Sequence, residues 1–390
     1  MIVGLLFSRA LLSMAMVAFV LNAIRDVHPR YWFRQRWWWL GFAWVAMYGL
    51  SYFWSHDIPM WAERFQVKLP ILIFPFAFAC MPKLSSRQLQ AFTIGVALLF
   101  LGGAAYSVYP LIGNVSHFVD QYAYSHLLPT PAKNDHIVFS LSVTAFIIWC
   151  VYIFPYLSKG LARWFIGIVV VLLSVYLHVL AARTGLFLWY VFILAWAIYM
   201  GVKKSRWLGI GIIAALLSFF ALAFSYIPTF QMRLGYMSYM FIAYNQGEMS
   251  ANYSDMGRWI SYDLAIKAIS RHPMTGVGAG DMLDTMRAGY AKWYPDTTEE
   301  QVLLPHNQFM VVALACGIPA ALIFTIWVFM PLTWLRRQRG AFFFYIIWQI
   351  LFVELMINPV LEIQFGVFVY LFFLLWQGHD YIERTKTNTA

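Results

Sequence analysis

The fold class of this chain is decided by residues 164–201, which read WFIGIVVVLLSVYLHVLAARTGLFLWYVFILAWAIYMG. This stretch consists of two apolar runs, 164–182 and 184–201, with one charged residue, Arg183, between them. Because a helix rises about 1.5 Å per residue, each run is long enough to cross the hydrocarbon core of a bilayer. The two runs therefore predict consecutive transmembrane helices joined by almost no connector.

The composition of the whole chain agrees with this reading. Of its 390 residues, 62% are apolar and only 11% are charged, and the mean hydropathy is +0.67. A soluble domain averages about 25% charged residues. These values exclude a water-soluble enzyme and a disordered or fibrous chain, and they predict an all-α polytopic membrane protein.

Apolar runs near twenty residues recur along the chain and predict about eleven or twelve transmembrane helices. The twelfth would arise if residues 1–24 form a re-entrant or broken pair rather than one retained span. The predicted spans are 2–24, 37–55, 69–81, 89–112, 136–157, 164–182, 184–201, 207–228, 306–335, 341–358 and 363–377.

The connectors between these runs differ in charge. Lys and Arg cluster in one set, which the positive-inside rule assigns to the cytoplasm together with the C-terminus. The net charge of +10 is therefore attributed to membrane orientation, and no nucleic-acid partner is expected. The predicted inner connectors are 25–36, 82–88, 158–163, 202–206 and 336–340, and the predicted outer ones are 55–68, 113–135, 183, 229–304 and 358–362.

The outer segment 229–304 is the only stretch long and polar enough to form a domain, and loops of this length are often functional. It separates transmembrane helices 1–8, in residues 1–228, from the C-terminal transmembrane helices and short cytoplasmic tail, in residues 305–390. Its pattern predicts one helix over Gly257–Arg271, ended by Pro273, and a second from Asp281 to about Lys292.

Three residues are the leading candidates for chemistry. Arg183 places a charge at the membrane boundary. Burying such a charge costs free energy, so a functional role is the first hypothesis for it. Arg258 offers bidentate donors suited to phosphate, although a solvated helix face is the better explanation for this arginine taken alone. His306 lies where the outer segment re-enters the membrane and can titrate near neutrality as a general base.

The remaining candidates are weaker. Asn307 follows His306, while Arg271, His272 and Arg287 lie on the predicted outer helices. Glu354, Glu362 and Gln364 flank an Asn-Pro pair and could line a polar cavity, bind a cation or pair with Arg183 or with an inserted loop.

Neither a metal nor a nucleotide is expected. The acidic residues lack divalent-metal ligand spacing, and Cys80, Cys150 and Cys316 lie in apolar runs without metal-binding spacing, so no metal and no cofactor is predicted. The glycine run Gly276–Gly280 follows a predicted helix rather than a strand, which argues against nucleotide binding and favours a tight turn.

Four short motifs occur in a fixed order: Ala182-Arg-Thr-Gly185, Gly257-Arg-Trp259, His272-Pro-Met-Thr-Gly-Val-Gly-Ala-Gly280 and Pro305-His-Asn-Gln-Phe309. Gly317, Glu354 and Glu362-Ile-Gln-Phe-Gly366 follow them. In order, spacing and sidedness this set resembles the bacterial O-antigen ligases, of the superfamily that includes O-antigen polymerases and protein O-oligosaccharyltransferases. Members usually have about twelve spans with both ends inside, whereas the present assignment begins outside.

The resemblance implies a GT-C-like glycosyltransferase in the bacterial inner membrane, with one large helical periplasmic loop. Such an enzyme transfers a glycan from undecaprenyl diphosphate to a sugar hydroxyl of lipid A–core at the periplasmic face. Carried over by motif, Arg183 and Arg258 would bind the diphosphate and His306 would act at the acceptor hydroxyl. The implied partners are the lipid-linked donor, the lipid A–core acceptor and membrane lipids.

Two alternatives stay open. An O-antigen or exopolysaccharide polymerase shares the chemistry but usually has two sizeable outer loops, whereas 229–304 dominates here. A lipid-linked sugar transporter would predict inverted repeats and paired discontinuous helices, which the sequence does not display.

Overall fold

The computed structural model describes residues 1–23, 36–123, 127–131, 135–245, 254–335 and 340–389, and within these ranges it contains helices and no strand. Most of the predicted inner connectors 25–36 and 336–340 lie outside the described residues. The α-helices are α1 Ile2–Phe7, α2 Arg9–Ala23, α3 Arg36–Leu50, α4 Ile58–Ala79, α5 Ser86–Val108, α6 Val115–Ala123, α7 His136–Ile153, α8 Leu161–Leu180, α9 Arg183–Lys203, α10 Arg206–Tyr226, α11 Pro228–Asn245, α12 Ser254–Arg271, α13 Met282–Trp293, α14 Gln308–Phe329, α15 Ala341–Ile357 and α16 Gln364–Thr389.

Six helical stretches of the described residues are long and apolar enough to cross a membrane, and each corresponds to a predicted span. The predicted all-α polytopic membrane protein is thereby confirmed. The six stretches are Ser86–Leu111, His136–Tyr156, Leu161–Leu180, Arg183–Lys203, Arg206–Tyr226 and Gln308–Trp334.

Two predicted spans differ from the structure. The first is interrupted at Ser8, whose extended backbone (φ −161°) separates α1 from α2. The third was expected to begin after Pro70, but α4 runs from Ile58 to Ala79 with Pro70 inside it. Charged residues lowered the hydropathy of its first half, and one of them, Lys68, is fully buried.

The predicted tight junction at Arg183 is present. Ala181 adopts a left-handed conformation (φ 48°) at the end of α8, and Arg183 begins α9. Thr184 and Gly185 lie in the first turn of α9. Gly185 allows close helix packing there, because a Cβ at this position would lie 2.4 Å from the Cβ of Ser140 on α7.

The chain divides into two compact units that do not follow its linear order. One unit comprises residues 1–16 and 83–246, so it contains the helices from α5 to α11. Its centre is α7, which is apolar on all sides and almost completely buried, as expected for a helix surrounded by other helices. Phe146 of α7 stacks on Phe100 of α5, and Thr144 Oγ1 donates to the Gly185 carbonyl of α9 at 3.0 Å.

The other compact unit comprises residues 17–82 and 247–390, including α3, α4 and the helices from α12 to α16. Trp327 of α14 is fully buried at its core. It stacks on Trp37 of α3 with ring centroids 5.1 Å apart and on Tyr370 of α16 at 5.6 Å. The two predicted outer helices are present here as α12 and α13, and α12 ends at Arg271 as predicted.

A break in α14 joins this transmembrane helix to the glycine run. At Gly317 the backbone leaves the helical region (φ 84°), and Ile318 donates its N–H to the Pro273 carbonyl instead of to Leu314. Pro319 has no N–H to offer Ala315. The two carbonyls that the helix leaves without a partner accept from Val277 and Gly278, at 2.8 and 3.0 Å.

The glycines of the run therefore serve the backbone geometry, as predicted. Gly276 and Gly278 have positive φ values of 66° and 98°, which residues with a side chain rarely adopt. A Cβ on Gly276 would lie 2.5 Å from the backbone of Ala315. The run lies against α14 so closely that residues 272–278 extend the hydrogen bonding of the broken helix.

Candidate functional site

The candidate catalytic residue, His306, lies in the irregular segment that leads from α13 into α14. Asn307 follows it as the N-cap of α14, and its Oδ1 accepts the N–H groups of Phe309 and Met310 at 2.9 and 3.2 Å. Its amide nitrogen donates to the Met356 carbonyl at 3.2 Å. Asn307 therefore fixes the entry of the chain into α14 directly beside His306.

The hydrogen bonds of His306 determine which ring nitrogen can act as a base. Its Nδ1 lies 3.3 Å from Oδ1 of the buried Asn358, whose amide nitrogen donates to Glu354 Oε1 at 3.0 Å. Since that amide nitrogen faces Glu354, Asn358 presents its oxygen to the imidazole. Nδ1 must then carry the proton, which leaves the lone pair of neutral His306 on Nε2.

The electrostatic surroundings also favour neutral His306. Burial lowers the pKa of His306 from its ordinary value, and the positive charge of Arg258 lowers it further. The hydrogen bond to Asn358 opposes these two effects without cancelling them. Near neutral pH the imidazole is therefore in the form that can accept a proton.

Arg258 belongs to the first turns of α12, where it is half-buried. One turn further on, Tyr262 donates its hydroxyl to the backbone carbonyl of His306 at 2.9 Å, which ties α12 to the His306 segment. Among the described residues no carboxylate forms an ion pair with Arg258. A cation in this position can receive an anionic group of a ligand.

A second polar cluster lies in the same compact unit and is centred on Glu362. Its carboxylate is almost fully buried, and Oε1 accepts from Tyr48 Oη at 3.2 Å and from Gln308 Nε2 at 2.9 Å. Oε2 accepts from Lys68 Nζ at 3.0 Å and from Arg64 Nη1 at 3.3 Å. We call Tyr48, Arg64, Lys68, Gln308 and Glu362 the Glu362 cluster.

Gln308 connects the Glu362 cluster to the start of α14. It is fully buried, and its Oε1 accepts the backbone N–H of Leu361 at 2.8 Å while its amide nitrogen donates to Glu362. Gln308 follows His306 by two residues, so this pair of hydrogen bonds restrains the backbone that carries the imidazole. The cluster thus helps to hold His306 in place through the start of α14.

Sequence reasoning found Glu362 but missed its partners. Pairing of this carboxylate with Arg183 or an inserted loop was considered, whereas the structure pairs it with Lys68 and Arg64 of α4. The signal was the four-residue spacing of Arg64 and Lys68, which places both on one face of a helix. Beginning the predicted span after Pro70 concealed that spacing.

Arg183 belongs to the other compact unit, where it is half-buried at the first position of α9. The N-terminus of a helix carries a partial positive charge, so a cation there adds to a region that already favours anions. The binding of phosphate by Arg183 stays a prediction.

The weaker candidates occupy less informative positions. Arg271 and His272 are exposed at the C-terminal end of α12, where cations are favoured by the helix dipole. Arg287 is exposed on α13 and pairs with Asp284 at 2.8 Å and with Glu299 at 2.5 Å. Gln364 begins α16 and is half-buried.

The described residues contain no group of three or more His, Cys, Asp or Glu side chains arranged to hold a metal ion. No curated protein matches the chain. Residues 168–325, however, match the family model described as O-antigen ligase, and this segment includes Arg183, Arg258 and His306. The match confirms the resemblance drawn from the motifs and supports membership of this chain in the O-antigen ligase superfamily.

Proposed function

We propose that this protein is an O-antigen ligase that transfers a glycan from undecaprenyl diphosphate to a sugar hydroxyl of lipid A–core. The reaction would take place at the periplasmic face of the inner membrane, would invert the anomeric carbon and would need no metal ion. One observation carries the proposal: His306 Nδ1 lies 3.3 Å from Asn358 Oδ1, an arrangement that leaves Nε2 as the nitrogen able to accept a proton.

In the proposed reaction the acceptor hydroxyl attacks the anomeric carbon of the donor from the side opposite the diphosphate. His306 Nε2 takes the hydroxyl proton as the new bond between oxygen and carbon forms. The bond between the anomeric carbon and the phosphate oxygen breaks, and the diphosphate leaves with the electron pair. A positioned base of this kind typically contributes about 10²–10⁴-fold to the rate.

The leaving diphosphate gains negative charge as the bond breaks. Arg258 would stabilise that charge, since no carboxylate of the described residues competes for its guanidinium. Arg183 is also assigned to diphosphate binding, from its motif and from its place at a helix N-terminus. Fixed cations aimed at developing charge are among the largest contributions to catalysis.

The test is a reconstituted transfer assay with purified protein, undecaprenyl-diphosphate-linked glycan and lipid A–core. Wild type should produce glycan-capped lipid, also in excess EDTA, and His306→Ala should lose at least about 10²-fold of the rate. His117→Ala is the matched control, because His117 is an exposed histidine of α6 outside the candidate site. Its rate should equal that of wild type.

The same assay separates the alternatives. Longer glycan on undecaprenyl diphosphate, without capped lipid A–core, would identify a polymerase and overturn the ligase assignment. Movement of the donor across liposomes without either product would identify a transporter. A rate for His306→Ala equal to that of wild type would overturn the role of His306, and activity that requires added Mg²⁺ or Mn²⁺ would overturn the metal-independent mechanism.

A further inference from the structure

A groove of about 630 Å³ lies along the N-terminal half of α8, and its lining residues belong to one compact unit and include none of the candidate site residues. This volume falls in the range of about 300–1,000 Å³ that is typical of small-molecule sites. The connector 158–163 forms one end of the groove, and the sequence predicts this connector to face the cytoplasm. The groove is therefore expected at the cytoplasmic surface of the membrane.

The connector end of the groove is positively charged. Lys159 is exposed there, and its neighbour Ser158 is anchored by bonds from its backbone N–H and its Oγ to Gln90 Oε1, at 3.1 and 2.8 Å. Arg163 donates to the Leu157 carbonyl at 2.8 Å and lies over the Phe154 ring at 5.5 Å. Neither cation forms an ion pair with a carboxylate of the described residues.

The rest of the groove is apolar. Trp164, Ile168, Val171 and Leu172 line it, and between 49% and 76% of each residue is exposed. From Arg163 to Leu172 the helix rises about 13 Å, at about 1.5 Å per residue. That length is close to half of the roughly 30 Å hydrocarbon core, which is the depth of one leaflet.

We propose that this groove binds one anionic phospholipid of the cytoplasmic leaflet. Its phosphate would lie between Lys159 and Arg163, and one acyl chain would follow the exposed face of α8 as far as Leu172. Two cations without a carboxylate partner select a net negative headgroup over a zwitterionic one, whose ammonium group they would repel. Each basic residue near the anionic cytoplasmic surface of a membrane contributes about 1 kcal/mol of attraction.

The experiment uses the full chain in bilayers that contain phospholipid with brominated acyl chains, which quench nearby tryptophans. Trp164 lines the groove, and the difference between wild type and Trp164→Phe isolates its signal from the other tryptophans. Brominated phosphatidylglycerol should quench this signal at a mole fraction at least about fivefold lower than brominated phosphatidylethanolamine. Fivefold corresponds to about 1 kcal/mol, the typical contribution of one basic residue near a membrane surface.

Lys159→Gln with Arg163→Gln should abolish the preference for phosphatidylglycerol. The matched control is Lys203→Gln with Lys204→Gln, which removes the same charge from the next predicted inner connector and should keep the preference. Lys159→Gln alone should weaken the preference without abolishing it, because Arg163 still contributes. This single variant leaves the backbone hydrogen bonds of Arg163 in place, so it separates lipid binding from local folding.

Two results would overturn the proposal. Equal quenching by the two lipids in wild type would mean that the groove holds only bulk lipid. An equal loss of preference in both double variants would mean that general surface charge, rather than the groove, attracts the anionic lipid. Neither result depends on the proposed transferase activity.

Discussion

The Glu362 cluster and the His306 site lie in one compact unit, and Gln308 of the cluster follows His306 by only two residues, yet the two differ in how their polar groups are satisfied. In the Glu362 cluster each carboxylate oxygen accepts two hydrogen bonds from buried or half-buried donors. In the His306 site Nδ1 faces Asn358, while Nε2 keeps its lone pair and Arg258 has no carboxylate partner among the described residues.

The difference distinguishes residues that hold the structure in place from residues that can react with a substrate. A buried ion whose hydrogen bonds are complete holds its neighbours in place but has nothing left to offer a substrate. A base with a lowered pKa beside an unpaired cation is poised for reaction. We expect substitutions in the Glu362 cluster to act first on stability and substitutions in the His306 site to act first on turnover.

The largest expected effect is on stability, from Glu362→Gln. This variant keeps the size of the side chain but leaves Lys68 buried without its counter-charge, so the free energy of unfolding should fall by about 3–5 kcal/mol. Thermal unfolding in detergent measures the change. Lys68→Met in the same background removes the stranded charge and should restore part of the stability. Wild-type stability of Glu362→Gln would contradict the assigned role of the cluster.

The second prediction concerns the His306 site, and its variant is Asn358→Leu. This variant removes the acceptor that orients the imidazole, so transfer should fall by about 10²-fold, because misplaced reacting groups can cost that much. The transfer assay measures the loss. Asn358→Asp combined with Glu354→Gln offers an oxygen at the same place, keeps a hydrogen bond between positions 354 and 358 with donor and acceptor exchanged, and should retain more activity than Asn358→Leu. Equal activity of the two variants would show that the orientation of His306 does not limit turnover.

A backbone position outside both clusters sharpens the comparison. Gly317→Ala places a Cβ 2.3 Å from the Met274 carbonyl oxygen at a positive φ, so stability should fall by about 1–3 kcal/mol. Gly211→Ala is the control, because it lies within α10 with no atom near its would-be Cβ and should be neutral or slightly stabilising. Thermal unfolding of the two variants tests this, and equal melting temperatures would count against the strained break.

The pH dependence of transfer should report His306. Because its pKa is lowered in the folded protein, kcat/KM should stay constant as the pH falls through about 6.5 and decline only below that value. Folding stability should begin to fall below about pH 6.5, where the unfolded chain binds the proton more readily. Arg258→Gln removes a cause of the lowered pKa, so the acidic limb of its residual activity should move to higher pH. If the acidic limb of the pH profile does not move in Arg258→Gln, the charge of Arg258 does not influence the pKa of His306.

The smallest effect is expected at the surface of α13. Arg287→Ala removes two ion pairs, but the arginine and both of its partners are exposed to solvent, where such pairs are screened and contribute little. We expect no measurable change in melting temperature and no change in the rate of transfer. A clear loss of transfer would place Arg287 among the residues that contact substrate.

Features encoded by nearby residues could be predicted from the sequence. The end of α12 at Arg271 followed from His272-Pro273, and the turn at Gly276–Gly280 followed from its glycines. The Glu362 cluster could not be predicted, because Lys68 and Glu362 are 294 positions apart and only the folded chain brings them together. Hydropathy also mispredicted where α4 begins, because a hydropathy scale scores every charged residue as polar whether or not a buried partner neutralises its charge.

The hydrogen bonds between residues 272–278 and the break in α14 have a consequence for engineering. These residues replace the missing ladder of a transmembrane helix, so they behave as membrane scaffold even though they follow α12 along the chain. Chimeras that exchange outer segments between relatives, in order to alter glycan choice, should therefore join on either side of 272–278 and keep this segment with its own α14. A graft that splits the two would leave the Leu314 and Ala315 carbonyls without partners inside the membrane protein.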